Sequence, residues 1–557
     1  MKTQRLLFQT WLACSVGLAG SFAPPTQAQY TGNNQTNIIS GVASNWNGDY
    51  YVGSNYVFDA LLIENGGALT NIDGYIGSNP GANSNAVVVS GSGSVWDCVG
   101  PLYDGGDGSG NSLVIRGAGK VLVSNHASGA TVGQVGSNNW ALVADPGSAW
   151  NIHGPLTVGY GTSGNNTMVI SNGGMVVDDV GQISLGTRGN HVLVTGMGSV
   201  WSNRIRLAVG GVGSTLVISN GGQVFANPQH VEVLQSEIGG APGGATSNSV
   251  LVTGAGSVLN INANFLIPQG FDNTGNALTV ANGGSAVVSN LYVGRDSGAD
   301  NNRIDVLGGY LFSTNAGATS VLEIRRGKLT LDQGTVTADK LILTNGSASV
   351  IAFNAGLLNT KGTAVTNSQQ FVVGNGVASA NFHLLGGVHS FNNGLRIRSN
   401  SFLTGCGTIT GTVVVDAGGS VAMDCGLTFT GVVTNNGLIQ ISNGSTLEGY
   451  ATFVNNGTIN IVNGFTNFHA AFINNGTIQT GSTPVVSLIA IAGADIVVQI
   501  QSVFSATYQL QVSPSLTPTN WVDVGSTQAG NGSVLTFTDT GGVTNSQRYY
   551  RVKITGL

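Results

Sequence analysis

Residues 192–201 read VLVTGMGSVW. The same ten-residue pattern stands at 87–96 as VVVSGSGSVW, at 141–150 as ALVADPGSAW and at 250–259 as VLVTGAGSVL. Trp96, Trp150 and Trp201 end three of the copies, and Leu259 ends the fourth. Val192 and Val194 alternate with Leu193 and Thr195, the period of a strand with one inward face. Gly196 and Gly198 then supply a corner, where a positive φ carries no Cβ penalty. The tryptophan that follows either caps the core beside the corner or forms an exposed, sugar-stacking stripe. Leu259 favours the core, since leucine caps a core well and stacks on sugars poorly.

A second pattern interleaves with the first: LLIENGGAL from 61, LVIRGAGKV from 113, MVISNGGMV from 168, LVISNGGQV from 216 and LTVANGGSA from 278. Between the two comes an apolar residue followed by glycine, as in Ile76-Gly77, Val132-Gly133, Val158-Gly159 and Ile238-Gly239. The usual step from one copy to the next is about 24 to 28 residues, a period that signals a solenoid or array. Each period holds three short apolar runs divided by Gly, Asn, Ser or Asp, and no helix-length segment interrupts them. One period therefore predicts one triangular coil, with successive coils pairing as parallel strands about 4.8 Å apart. No coil buries its apolar side alone, so the unit has to recur.

Composition agrees. Only 8% of the 557 residues are Asp, Glu, Lys or Arg, against about a quarter in ordinary domains, and 86 are glycine. A net charge of −6 argues against nucleic acid, which selects a basic face. Residues 1–28 read as a signal peptide: Lys2 and Arg5, the apolar run Leu6 to Ala19, and a Thr26-Gln27-Ala28 cleavage site, giving a mature chain from Gln29. A lipoprotein reading through Cys14 lacks the small residue expected two positions earlier. No later run is long and apolar enough to read as a membrane span.

The early patterns cover 29–310. From 311 to 481 the solenoid is expected to continue and to tighten, with NNG turns at a step of 19 to 20 in VTNNGLIQI from 433, FVNNGTINI from 453 and FINNGTIQT from 472. Those turns predict asparagine ladders, with Ile459 and Ile461 facing in and Thr458 and Asn460 facing out. Residues 482–557 read as six strands of a small β-sandwich, with Tyr508, Trp521 and Tyr550 expected in its core. The fold class is thus all-β: a parallel β-helix (β-solenoid) followed by a small C-terminal β-sandwich. Cys98, Cys406 and Cys425 remain in the mature chain without a C-x-x-C pair, so zinc has no support. Cys406 and Cys425 are able to pair if the coils stack them; packing as small apolar side chains is the alternative.

LVISNGG paired with VLVTGxGSVW through a V-G turn resembles the type V secretion/PEP-CTERM-associated repeat of large Gram-negative surface proteins, over about residues 50–310 in several copies. LTGCGTITGTVVVDAGGSV resembles autotransporter passenger regions. The tail, with TYQLQVSPSLTPTNWVDVG and RYYRVKI, is similar to C-terminal fibronectin-type-III-like modules of secreted bacterial proteins. The resemblance implies a right-handed β-helix, adhesive or structural, secreted or held at the outer-membrane surface of a Gram-negative bacterium. The chain as read carries neither a translocator barrel nor a Pro-Glu-Pro anchor segment after its repeats, so the route across the membrane and the attachment are left open.

Solenoids also carry polysaccharide lyases and hydrolases, which need convergent carboxylates or cations on one strand face. The best cluster is Asp178-Asp179 with Arg204, Arg206 and His191. Sibling coils show Ser124-Asn125 and Ser289-Asn290 at the acid pair's place, which reads as a turn. GGDGSGNSL at 105–113 approaches a calcium-binding nonapeptide but has Gly110 where an Asp ligand is required. Arg325, Arg326 and Lys328 read as solvated turn residues. The expectation is a non-enzymatic surface β-helix, structural or adhesive, with no catalytic, metal or cofactor residues, and with extracellular polysaccharide or cell-surface components as candidate partners. The alternative is a polysaccharide-active lyase or hydrolase, or a carbohydrate-binding protein.

Overall fold

The computed structural model describes residues 30–124, 127–227, 235–240, 244–268, 270–423, 425–442, 444–462, 464–480, 486–502, 506–517, 520–531, 533–544 and 547–556. The segment 1–28 that reads as a signal peptide, Cys14 and Asn125 lie outside them. The described chain is built of strands, with two short 3-10 turns at Gly346–Ala348 and Gly542–Thr544 and no α-helix.

Every coil contributes one strand to a first wall. Thirteen of these strands, from Thr36–Ser40 to Ser349–Phe353, pair in parallel, and six more, from Phe371–Val373 to Phe472–Asn474, form a second parallel sheet further along the solenoid. The other two walls join into one network of 31 strands. They join because six long strands round the corner between them: Met175–Leu185, Val200–Val209, Val258–Ile267, Ser285–Val293, Ala380–Phe391 and Ser401–Thr410. The turn there is made by a slip in pairing, as between Asp178 and Val180 or between Ile261 and Asn264. The sharper corner after the first wall is made at Gly196 and Gly198, with φ of +89° and +79°.

The register explains the alternating motifs. Leu69, Trp96, Val121, Trp150, Val176, Trp201, Val224 and Leu259 stack in successive coils. All three tryptophans are fully buried, so the core reading holds and the sugar-stacking stripe does not. On the adjoining wall the stack runs Gly74, Leu102, Ala130, Leu156, Gly181, Leu207. The small member always belongs to the coil preceding a tryptophan. A Cβ on Gly74 would lie 2.9 Å from the Trp96 ring, and one on Gly181 would lie 2.6 Å from the Trp201 ring. Each indole leans into the neighbouring coil, and that coil gives up a side chain to receive it. The structural unit is therefore two coils, one with Trp followed by Leu and one with Val or Leu followed by Gly or Ala. Where the tryptophans end at Leu259, Phe265 fills the same coil from the adjoining wall, fully buried.

A buried asparagine ladder runs beside this core. Asn85, Asn111, Asn139, Asn166 and Asn190 each occupy the residue before a first-wall strand. Each Oδ1 accepts the backbone N–H of the equivalent residue one coil earlier, at 2.8–2.9 Å. The ladder resumes at Asn248, Asn276 and Asn302. The apolar-plus-glycine signature makes room for it: a Cβ on Gly77 would meet the Asn111 amide at 2.1 Å, and one on Gly133 would meet Asn166 at 2.2 Å.

The tighter coils carry the ladder foreseen for them. Asn435 Nδ2 donates to Asn455 Oδ1 at 2.7 Å, and Asn456 Nδ2 to Asn436 Oδ1 at 2.9 Å. Ile459 and Ile461 are buried. Cys406 and Cys425 form a disulfide across successive coils, with Cα atoms 5.4 Å apart. Cys98 is buried and unpaired. The tail forms two three-stranded antiparallel sheets: Val486–Ala492, Asp495–Gln501 and Val534–Asp539 in one, Val522–Ala529, Thr507–Ser513 and Tyr549–Gly556 in the other. Tyr508 is in its core and Tyr550 packs against it. Trp521 is not: it is half-buried, with the Arg551 guanidinium 4.3 Å over its ring.

Candidate functional site

The sequence cluster Asp178, Asp179, Arg204, Arg206 and His191 does not converge. Asp178 points into the core, at a position its siblings fill with Asn71, Cys98, Val123, Ile152, Asn203, Ala226 and Ile261. The turn reading of Asp178-Asp179 is therefore corrected. Both acids belong to the continuous strand Met175–Leu185, and the Ser124 and Ser289 equivalents fall against Asp179, one residue later than the sequence suggests.

Asp178 is fully buried and accepts the Trp201 Nε1 hydrogen at 2.6 Å on Oδ2, while its Oδ1 has no partner. Burial is the main reason its carboxyl titrates well above the usual range; Asp179 adds to the rise, while Trp201 and Arg204 oppose it. The same geometry recurs two motifs earlier, where Trp96 Nε1 donates to Asn71 Oδ1 at 2.6 Å. For Trp150 the corresponding residue of the preceding coil is Val123, which has no acceptor, and the Trp150 N–H is left unpaired. Asp178 is thus an indole acceptor enclosed in the core, with no path to a polymer lying on the outer wall.

The remaining members face different walls. Asp179 pairs with Arg204 at 2.8 Å, and the same guanidinium reaches the Ile152 carbonyl at 3.3 Å. Arg206 lies 3.8 Å from Glu237. His191 is on the first wall, with Nδ1 2.7 Å from the Thr215 hydroxyl. Glu237 was missed in the sequence reading, because it falls in the stretch where the motif step lengthens from 216 to 250. Burial pushes its carboxyl up to about 7, against the pull of Arg206.

No family model matches this chain, and no curated protein matches it.

In the 105–113 segment Asp107 is exposed, and Asn111 belongs to the buried ladder. Arg325 is not a free turn residue, since its Nε donates to Glu323 at 2.6 Å; Arg326 donates to the Asp296 carbonyl at 3.1 Å. Lys328 stands exposed in the strand Gly327–Leu331. Near the first coils, Tyr51, Tyr75 and Tyr103 stack on the outer face with centroids 4.8 and 5.2 Å apart. Their faces cover one another, so they present edges rather than a sugar platform. In the tail, a groove of about 590 Å³ is lined by Ile489, Ile491, Leu516, Trp521 and Tyr549. Among the described residues no cluster of three or more His, Cys, Asp or Glu has metal-ligand geometry, and no helix is long and apolar enough to cross a membrane.

Proposed function

We propose that this is a non-enzymatic β-helix of the type V secretion/PEP-CTERM-associated repeat kind, secreted or displayed at the outer-membrane surface of a Gram-negative bacterium. Its role is structural or adhesive, and its C-terminal sandwich is a fibronectin-type-III-like module. The single observation that carries this reading is the use made of the ionisable and aromatic residues in the repeats. Trp96 and Trp201 with their acceptors Asn71 and Asp178, and the Asp179–Arg204 pair, bind coil to coil. A reaction needs unlike groups converging on one substrate bond, whereas Trp96, Trp201, Asn71 and Asp178 are shut in the core and Asp179 and Arg204 are paired with each other outside it.

What the coils leave outside is repetitive: on the first wall Val169, Leu193, Val217 and Leu251 form one row and Ser171, Thr195, Ser219 and Thr253 another, coil upon coil at about 4.8 Å. Such a wall suits many weak contacts, where avidity replaces the affinity of any one site. The test is binding of the purified mature chain to whole cells and to immobilised polysaccharides, compared with a short fragment of the same surface. Binding that rises steeply with the number of coils supports the reading. Catalytic turnover of any of those polysaccharides refutes it.

A further inference from the structure

The outer face of the first wall is apolar along its middle. That row climbs coil upon coil from Ile38 and Leu62, through Leu142, to Val217 and Leu251. All nine of its members are Ile, Leu or Val, with Ile38 exposed and the others half-buried. The rows on either side are Ala, Ser and Thr, broken only by Trp140, His191, Glu64 and Arg116. The next coils end the row with Thr279 and Asp305, beside Arg303 and Lys328. Soluble chains rarely leave an unbroken apolar stripe of this kind open to water.

The dimensions point to what covers it. Nine coils at about 4.8 Å make a face about 40 Å long, and five-residue strands make it about 16 Å wide. That is about 650 Å² on one copy and about 1,300 Å² on two, inside the range of about 1,200–2,000 Å² for specific protein interfaces. Trp140, 40% exposed, stands on the fifth of the nine strands, beside Leu142. An aromatic anchor at the centre of a contact is where binding energy concentrates.

We infer that the first wall is a self-association face, covered by a second copy of this chain turned antiparallel about a two-fold axis that runs along the strands through Leu142. An isologous contact needs a surface that complements itself, and sheets packed face to face interdigitate their side chains. This axis opposes Ile38 with the partner's Leu251, Leu62 with the partner's Val217, and Leu142 with its own copy. Glu64 meets the partner's Ser219 and Arg116 the partner's Ser171, so each charge faces a hydroxyl. Arg303, Asp305 and Lys328 fall beyond the partner's first coil. Copies turned parallel would instead set Asp305 against its own copy, and like charges brought together across an interface repel. The inference rests on the reading of the repeats as a contact surface and names the partner.

The test uses the purified mature chain. Sedimentation equilibrium over a range of concentrations should show monomer and dimer of the wild type in exchange. Leu142→Lys should melt as wild type does and weaken association by about a hundredfold or more, because it sets two like charges together at the axis. Trp140→Ala, at an exposed position, is the second variant and should weaken association by about thirtyfold. Ile491→Lys, in the exposed apolar groove of the tail, should associate as wild type does. Chains carrying Ile38→Cys, mixed with chains carrying Leu251→Cys, should be joined to each other by a short bifunctional thiol cross-linker, and neither should be joined to its own kind. A wild type that stays monomeric, association unchanged in both Leu142→Lys and Trp140→Ala, or association lost equally in Ile491→Lys would overturn the assignment. Cross-linking of Ile38→Cys chains to one another would overturn the antiparallel arrangement. A monomeric wild type retained on insoluble polysaccharide or on phospholipid vesicles, with retention lost in Leu142→Lys, would give the face to that partner and overturn it as well. Whole-cell binding by a chain that stays monomeric would leave the adhesive reading standing.

Discussion

Asp104→Val is expected to stabilise the solenoid, and the gain should depend on pH. Asp104 ends the strand Leu102–Asp104 and stacks in register between Ile76 and Val132. All three side chains are fully buried, and neither Asp104 carboxyl oxygen has a hydrogen-bond partner. An unsatisfied buried polar group costs about 1–3 kcal/mol, and a fully buried valine contributes about 1.5–3 kcal/mol. Allowing for imperfect fit, the substitution should gain about 2–4 kcal/mol at neutral pH. Burial holds the Asp104 carboxyl well above its ordinary range. In the unfolded chain it titrates near about 3.9. Between those two values the folded state binds more protons than the unfolded, so stability falls as pH rises through that window. The ionisation part of the penalty is absent below about pH 4 and complete above the folded pKa, while the unmet hydrogen bonds of the buried carboxyl remain throughout. The gain from Asp104→Val should therefore be largest at pH 7 and clearly smaller at pH 4.

Solenoids open locally, so amide exchange is the appropriate assay. Strands Gly74–Ile76 and Ala130–Val132 should exchange about thirtyfold to several hundredfold more slowly at pH 7, at about 1.4 kcal/mol per decade. Asp104→Asn should fall between wild type and valine. Exchange in those strands at pH 7 that is unchanged or faster in Asp104→Val would refute the reasoning, because it would mean the carboxyl has a favourable partner.

Three further outcomes follow from the packing. Gly74→Ala should destabilise its coil by about 1–3 kcal/mol through overpacking, since the new Cβ would lie 2.9 Å from Cys98, Leu102 and Trp96 atoms; thermal melts of Gly74→Ala in a Trp96→Leu background should show part of the cost relieved. Asn139→Leu removes the acceptor of the Asn111 backbone and amide N–H groups, and should speed exchange in Ser112–Arg116 and Trp140–Ala144 as expected for about 1–3 kcal/mol per orphaned donor. Replacing Cys406 and Cys425 with serine opens a 19-residue separation and should lower stability by about 3 kcal/mol on a loop-entropy basis, read as a lower melting temperature than the oxidised wild type.

The parts of this fold that are legible in sequence are those written as spacing. The positions of Trp96, Trp150 and Trp201, the inward valines at 192 and 194, the NNG ladders and the six tail strands all follow from periodicity and glycine punctuation. The buried ladder from Asn85 to Asn302 is also written at a fixed place, just before each first-wall strand. It passes for ordinary turn polarity, because a turn asparagine and a buried one look alike without the neighbouring coil. The sequence places Asp178 and Asp179 one residue out of register, because the corner they round is a slip in pairing inside a long strand, with no glycine between 178 and 180 to mark it. Trp521 was placed in the tail core by its size, whereas Arg551 across the sheet holds it at the surface.

The central claim is that the repeats bind surfaces and do no chemistry. The most direct measurement incubates the mature chain with pectin, alginate and other acidic and neutral glycans, following retention and product release on the same samples. The account predicts retention that grows with the number of coils and no released product. Product release that disappears in Asp178→Asn or Asp179→Asn would contradict it.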